Sequence, residues 1–216
     1  MILTWLGHSC FKFQDKIGPE GVTVVSDPFG KQYGLKVPNF EADIVTVSHS
    51  HEDHNNVSAL RGAPFVIDAP GEYDVKNVLV EGVASFHDAS EGKERGNNII
   101  FRLEIDDISI VHLGDFGQTS LDSAQLEKLA GTDILLIPVG GKYTIDAKKA
   151  VEIIAQIEPR IVIPMHYKTE DLKLDDLDGV DKFIKEIGLT PTYEEKLKIS
   201  KKDLPSEDME LVIMKY

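Results

Sequence analysis

The sequence predicts an α/β fold on three observations. Short β-like runs separated by Gly, Pro, Asp and Asn fill the first half, helical patterns alternate with continuous apolar runs after Ser120, and 216 residues are enough chain for one full hydrophobic core. In order, Ile2 to Leu6, Val22 to Ser26, Ile44 to Ser48 and Phe65 to Asp68 read as strands, followed by Val78 to Val80, Val83 to Phe86, Asn98 to Ile105 and Ile108 to His112. Asp106-Asp107 between the last two suits a hairpin turn. Asp122 to Ala130 reads as a helix with Gly131 as its stop. Ile134 to Pro138 and Ile161 to Pro164 are uninterrupted apolar runs of the kind found in strands covered on both faces. Between them Ala147, Ala150, Val151, Ile154 and Ile157 recur at helical spacing over Asp146 to Ile157, with Pro159 just beyond the end. Val180 to Ile187 reads as a helix stopped by Gly188, and Leu211 to Met214 as a last strand. No internal repeat, low-complexity tract or linker divides the chain, so residues 1–216 are expected to form one domain. The acidic stretch Glu170 to Asp181 is expected to be a flexible, solvated surface loop.

Composition narrows the partners. The chain has 23 basic and 37 acidic residues, a formal net charge of −14, and no basic stripe, which speaks against nucleic-acid backbone binding. A small anionic substrate stays open, because bound dications or a local Lys or Arg reverse the potential inside one pocket. The single cysteine, Cys10, cannot close an intramolecular disulfide and reads as a small buried hydrophobe, which fits a reducing compartment. The opening run Met1-Ile2-Leu3-Thr4-Trp5-Leu6-Gly7 is too short for a signal-peptide core and lacks a basic lead-in, and no stretch could span a bilayer. The expected location is the cytoplasm, without a membrane partner.

Chemistry concentrates in His49-Ser50-His51-Glu52-Asp53-His54, directly after the run Asp43 to Ser48. Histidine and carboxylate are common ligands of zinc and similar dications, and loops at strand ends let such ligands converge. In an extended segment His49 and His51 point to one side. Asp53 and His54, beyond a turn, can address a second position a few ångströms away. A polar loop with exposed histidines is the plainer account, and the density of the cluster counts against it.

His-x-His-x-Asp-His after a strand resembles the hallmark of the metallo-β-lactamase superfamily, and the remaining segments occur in order. Phe86-His87-Asp88 resembles the third-histidine segment, His112-Leu113-Gly114-Asp115 the segment with a bridging aspartate, and Pro164-Met165-His166-Tyr167 the final histidine segment. Gly7-His8-Ser9 and Ser26-Asp27-Pro28 are similar to a subgroup that includes ascorbate-6-phosphate lactonase. The resemblance implies a four-layer αβ/βα sandwich with metals at one edge between two sheets. It implies one metal on His49, His51 and His87, another on Asp53, His54 and His166, and Asp115 bridging them. Two dications ~3.5 to 4 Å apart can share a hydroxide and polarise a substrate oxygen. Asp53 is the expected catalytic residue, orienting the hydroxide or accepting its proton. The expected cofactors are two divalent ions, zinc first, with manganese or iron as alternatives. The expected reaction is hydrolysis of a small ester, lactone or phosphoester.

Other residues carry two readings each. His8 could reach the metal pocket or be a hydrogen-bonded structural histidine. His112 suits packing better than ligation and is the reserve if His87 fails. Asp27 could orient a metal-bound histidine or form a turn before Pro28. Gly140-Gly141-Lys142-Tyr143-Thr144 is not a Walker loop, because Leu136 and Tyr143 stand where that motif needs Gly and Ser or Thr. A tight turn with Thr144 capping the next helix is the safer account, with Lys142 or Tyr143 touching substrate as the sharper one. Gln118 stands where many superfamily members have another residue and is expected to alter the pocket wall. The competing functions are a di-iron redox enzyme of the same fold, in which His51 would be a glutamate, and a non-catalytic metal- or partner-binding module. Oligomeric state is not legible in these patterns.

Overall fold

The computed structural model describes residues 1–16 and 21–216. Along the chain lie β1 (Ile2–Gly7), β2 (Cys10–Asp15), β3 (Val22–Ser26), β4 (Ile44–Thr46), β5 (Phe65–Ile67), β6 (Gly71–Val75), β7 (Val78–Phe86), β8 (Asn97–Ile105) and β9 (Ile108–His112). There follow α1 (Ser123–Leu129), β10 (Ile134–Pro138), α2 (Ala147–Ile157), β11 (Ile161–Met165), α3 (Val180–Ile187), β12 (Thr192–Glu194), β13 (Leu197–Lys198) and β14 (Glu210–Met214). The strands form a six-stranded sheet, β13-β1-β2-β3-β4-β5, and an eight-stranded sheet, β12-β14-β11-β10-β9-β8-β7-β6.

Alternation along the first sheet turns Leu3, Trp5, Phe11, Phe13 and Val24 into the same buried cluster as Val80, Phe101, Leu103, Ile110 and Leu136 of the second. Each fully buried side chain of this size contributes about 1.5–3 kcal/mol. Cross-sheet ring contacts tie the layers: Trp5 lies 5.2 Å from Tyr167, and Phe11 lies 6.0 Å from His112. Strands β9, β10 and β11 are buried along their whole length, as expected of strands covered on both faces. The parallel pair β10 and β11 is joined through α2, whose Ala147, Ala150, Ile153, Ile154 and Ile157 are buried. The other face of the six-stranded sheet has its own cluster, in which Cys10, Val25, Phe29 and Val45 meet Leu35, Leu60, Leu172 and Leu177. Its cover consists of loops and the short 3-10 turns Lys31–Tyr33 and Val57–Ala59. No helix among the described residues is long and apolar enough to cross a membrane.

Several local expectations change. Strands β2, β6, β12 and β13 were not anticipated by pattern, and Val78 to Phe86 is one strand rather than two. Gly82 does not break it: a Cβ there would lie 2.9 Å from the Ala69 carbonyl oxygen, so glycine lets the incoming chain pass close by. The acidic stretch after Glu170 is anchored, with Leu172 and Leu177 buried and Lys168 Nζ donating to the Leu172 and Leu174 carbonyls. Helix α2 is capped by Asp146, whose carboxylate accepts from the Lys149 amide at 2.8 Å, and not by Thr144.

The Asp106-Asp107 turn is as expected, both residues having positive φ (53° and 60°). Helix α1 starts with a capping box in which Asp122 accepts from the Gln125 amide while Gln125 reaches back to the Asp122 amide. Asp122→Ala should therefore lower unfolding stability by about 1 kcal/mol, read as a shifted urea midpoint with unchanged slope.

Candidate metal centre

Four loops leave the C-terminal ends of β4, β7, β9 and β11, and the β1–β2 turn joins them at the same edge. They bring His49, His51, Asp53 and His54, then His87, Asp115 and His166, and finally His8 into one cluster. All seven residues that the sequence assigns to metal are therefore together. His49 and His51 lie beyond β4, which ends at Thr46, in bent rather than extended chain with their rings 4.6 Å apart, and the His54 amide donates to the His51 carbonyl at 3.0 Å in the turn that follows.

Asp115 occupies the middle. Its Oδ2 lies 3.2 Å from His166 Nε2, 3.3 Å from His54 Nε2, 3.3 Å from His87 Nε2 and 3.9 Å from His49 Nε2. Delivering it requires close backbone approach. Gly114 has φ +58°, and a Cβ on it would lie 2.4 Å from Asn98 Oδ1. A Cβ on Gly117 would meet the His87 carbonyl at 2.4 Å, so glycine there lets the Asp115 loop touch the His87 loop. Buried Asn98 accepts from the Asp115 amide at 2.9 Å and donates to Ser85 Oγ and the Leu113 carbonyl.

Asp27 resolves in favour of orientation. His54 donates from Nδ1 to Asp27 Oδ2 at 2.9 Å, and Ser48 donates its amide and its hydroxyl to the same carboxylate at 2.8 and 2.6 Å. With the single hydroxyl proton of Ser48 committed to Asp27, Ser48 Oγ can only accept from His49 Nδ1, 2.9 Å away. One buried aspartate thus fixes two imidazoles with Nδ1 as donor and Nε2 aimed at Asp115. Ser48 was not singled out from sequence; its place beside His49 was the available signal. Asp88, next to His87, collects the backbone amides of Ser90, Gly92, Glu94 and Arg95 and so folds the loop after β7.

His8 is fully buried, with Nε2 3.2 Å from Asp53 Oδ2 and 3.1 Å from His54 Nε2. His112 is not a ligand candidate, because Nε2 donates to the Ser9 carbonyl at 2.8 Å and Nδ1 accepts from the Gly114 amide at 3.1 Å. Gln118 supports the scaffold by accepting from the Phe86 amide at 3.0 Å; it does not line the cavity beside the cluster. That cavity, about 700 Å³, is lined by His49, His51, Asn55 and Arg95, with Asp68 and Asp122 also on its wall. Arg95 is its one Lys or Arg among the described residues, and the guanidinium lies 4.8 Å over the Tyr143 ring. Lys142 pairs with Asp176 at 3.5 Å.

The electrostatics match a cation site. Burial, followed by the charge of His166, pushes the His8 imidazole down to about 4, and burial followed by His54 takes His49 down to about 3. Burial likewise lowers His87. These rings keep a free lone pair at neutral pH. Burial opposes charge on His54 too, but Asp115 and then Asp53 overcome it and hold the imidazolium well above the usual histidine range. Burial would raise Asp115, yet His166 and His54 keep its carboxyl well below the usual carboxylate range. Asp115 Oδ1 and His49 Nε2 are buried without a protein hydrogen-bond partner, although an unpaired buried polar atom is costly. Convergent imidazole and carboxylate atoms with orphaned lone pairs are what a divalent metal requires, so the residues fit the metals that the sequence implies.

The chain is similar to known metal-dependent hydrolases. The model of the β-lactamase superfamily domain matches residues 2–166. A metal-dependent hydrolase of Thermoplasma acidophilum is 31% identical over 196 residues, covering 79% of this chain and 84% of its own. One from Thermoplasma volcanium is 29% identical, covering 81% and 87%. The crystal structure of a Thermotoga maritima protein of the metallo-β-lactamase superfamily superposes with a TM-score of 0.77 at 38% identity, covering 99% of this chain and 97% of that one.

Metal uptake at pH 7 should release protons, because Asp115 and Asp53 raise His54 well above the usual histidine range and an ion must displace its Nε2 proton. Affinity should then rise with pH while His54 titrates. Calorimetry in buffers of different ionisation enthalpy reads both effects. Asp27→Asn should weaken metal affinity about 10–100-fold, measured against a competing chelator.

Proposed function

The chain belongs to the β-lactamase superfamily domain family and to the UPF0173 metal-dependent hydrolases, and from that premise we propose a dinuclear hydrolase acting on a small anionic ester, lactone or phosphoester. The observation that carries this reading is Asp115 Oδ2, within 3.9 Å of four imidazole Nε2 atoms drawn from three other loops. His49, His51 and His87 would hold one ion, Asp53, His54 and His166 the other, with Asp115 shared; zinc, manganese and iron all suit these donors. Two such ions, when bound, would activate water at neutral pH and polarise the scissile oxygen.

The protein's own groups do the rest. Asp115 would offset the repulsion between cations held at the two positions. Asp53, only 17% exposed on its side chain and held far below the usual carboxylate range by His54 despite its burial, stays ionised and can orient the attacking group as a hydrogen-bond acceptor. Arg95, on the loop folded by Asp88, presents a cation in the cavity that His49 and His51 line, which favours a substrate with an anionic group within reach of the scissile bond. The single cysteine, buried as Cys10, supports a reducing, cytoplasmic setting, and the shared core between the sheets supports one domain over residues 1–216.

A panel of paired neutral and anionic esters, lactones and phosphoesters tests the reading. Turnover should require metal, vanish on chelation and return on reloading. Asp115→Ala should abolish it while retaining the wild-type circular dichroism, and Asp53→Asn should lower kcat by about 10²–10⁴-fold. Arg95→Ala should raise KM about tenfold for anionic substrates and leave neutral ones unchanged, a charged hydrogen bond contributing about 1.5–3 kcal/mol. No turnover by the metal-loaded protein across the panel would contradict the assignment.

A further inference from the structure

Resting on the two-metal reading, we infer that His8 is an additional protein ligand of the position formed by Asp53, His54 and His166. Its Nε2 atom, Asp53 Oδ2, His54 Nε2 and His166 Nε2 belong to one group whose ligand atoms all lie within 4.8 Å of one another. The edges of that group are 3.2 Å from His8 to Asp53, 3.1 Å from His8 to His54 and 3.5 Å from His54 to Asp53. Donors bound at about 2.0–2.2 Å to one ion stand roughly 3–3.6 Å apart, so these edges are the right length.

The ring is aimed, not merely packed. His8 is fully buried and has φ +54°, a left-handed conformation that most side chains avoid. That backbone is held because the His8 carbonyl accepts from Trp5 Nε1 at 2.9 Å and from the His166 amide at 3.2 Å. Nδ1 has no protein partner, so the Nε2 edge alone carries the polar contacts of the ring.

The consequence is asymmetry. With His8 the second position has five protein donors, His8, Asp53, His54, His166 and shared Asp115, while the first has four, His49, His51, His87 and Asp115. The cavity agrees: His49 and His51 line it, and none of His8, Asp53, His54 or His166 does. The cavity therefore meets the first position through His49 and His51, while His8 adds a protein donor to the second.

The test is a crystal structure of the zinc-loaded wild-type protein, together with zinc stoichiometry and chelator competition for wild type and His8→Asn, a residue that tolerates positive φ. The expected result is His8 Nε2 at about 2.0–2.3 Å from the second ion. His8→Asn should then bind one ion like wild type and the second at least tenfold more weakly. Two ions bound with His8 Nε2 beyond hydrogen-bond contact of either, or unchanged binding of both by His8→Asn, would overturn the inference and leave the dinuclear reading intact. A wild type that takes up no second ion would overturn both.

Discussion

A buried carboxylate among four imidazoles is the constraint on which the rest depends. Asp115 is almost wholly buried, and an anion in that position is unfavourable unless positive charge or strong donors surround it. His54 and His166 supply that compensation and keep the Asp115 carboxyl low, and Asp115 in turn raises His54, whereas burial lowers His8, His49 and His87. The cluster thus offers convergent imidazole and carboxylate donors suited to a metal ion.

Holding such a cluster requires a rigid frame, and the frame is made of polar residues that never reach the centre. Asp27 orders Ser48, His49 and His54 through a chain of proton donations; Asn98 ties the Asp115 loop to Ser85; Asp88 gathers four amides of the loop after His87. Beneath them the three strands β9, β10 and β11, buried throughout, give the loops a fixed base. Function is placed on loops and precision comes from what lies under them.

Much of this was legible in the sequence. The apolar runs Ile134 to Pro138 and Ile161 to Pro164, the helix at Asp146 to Ile157 and the turn at Asp106-Asp107 announce themselves because burial on both faces, helical spacing and positive-φ tolerance each leave a local pattern. Strands such as β12 and β13 leave none: Thr192–Glu194 and Leu197–Lys198 are short and mostly exposed, and tertiary pairing with β14 and β1 makes them strands. The seven predicted metal residues come together because their motif fixes both residue type and order. Ser48 and the loop-folding role of Asp88, which the sequence shows only as part of Phe86-His87-Asp88, were not legible, since both act through hydrogen bonds to backbone and neighbours, for which no spacing rule exists. His8 was undecidable for a related reason, its partners being 45 and 46 positions away.

The measurement that bears most directly on this account is metal content per chain, by inductively coupled plasma mass spectrometry, on protein purified without added metal or a metal-binding tag. The account predicts about two divalent ions per chain, as a paired centre requires. Little or no metal, persisting after incubation with zinc, manganese and iron, would contradict it.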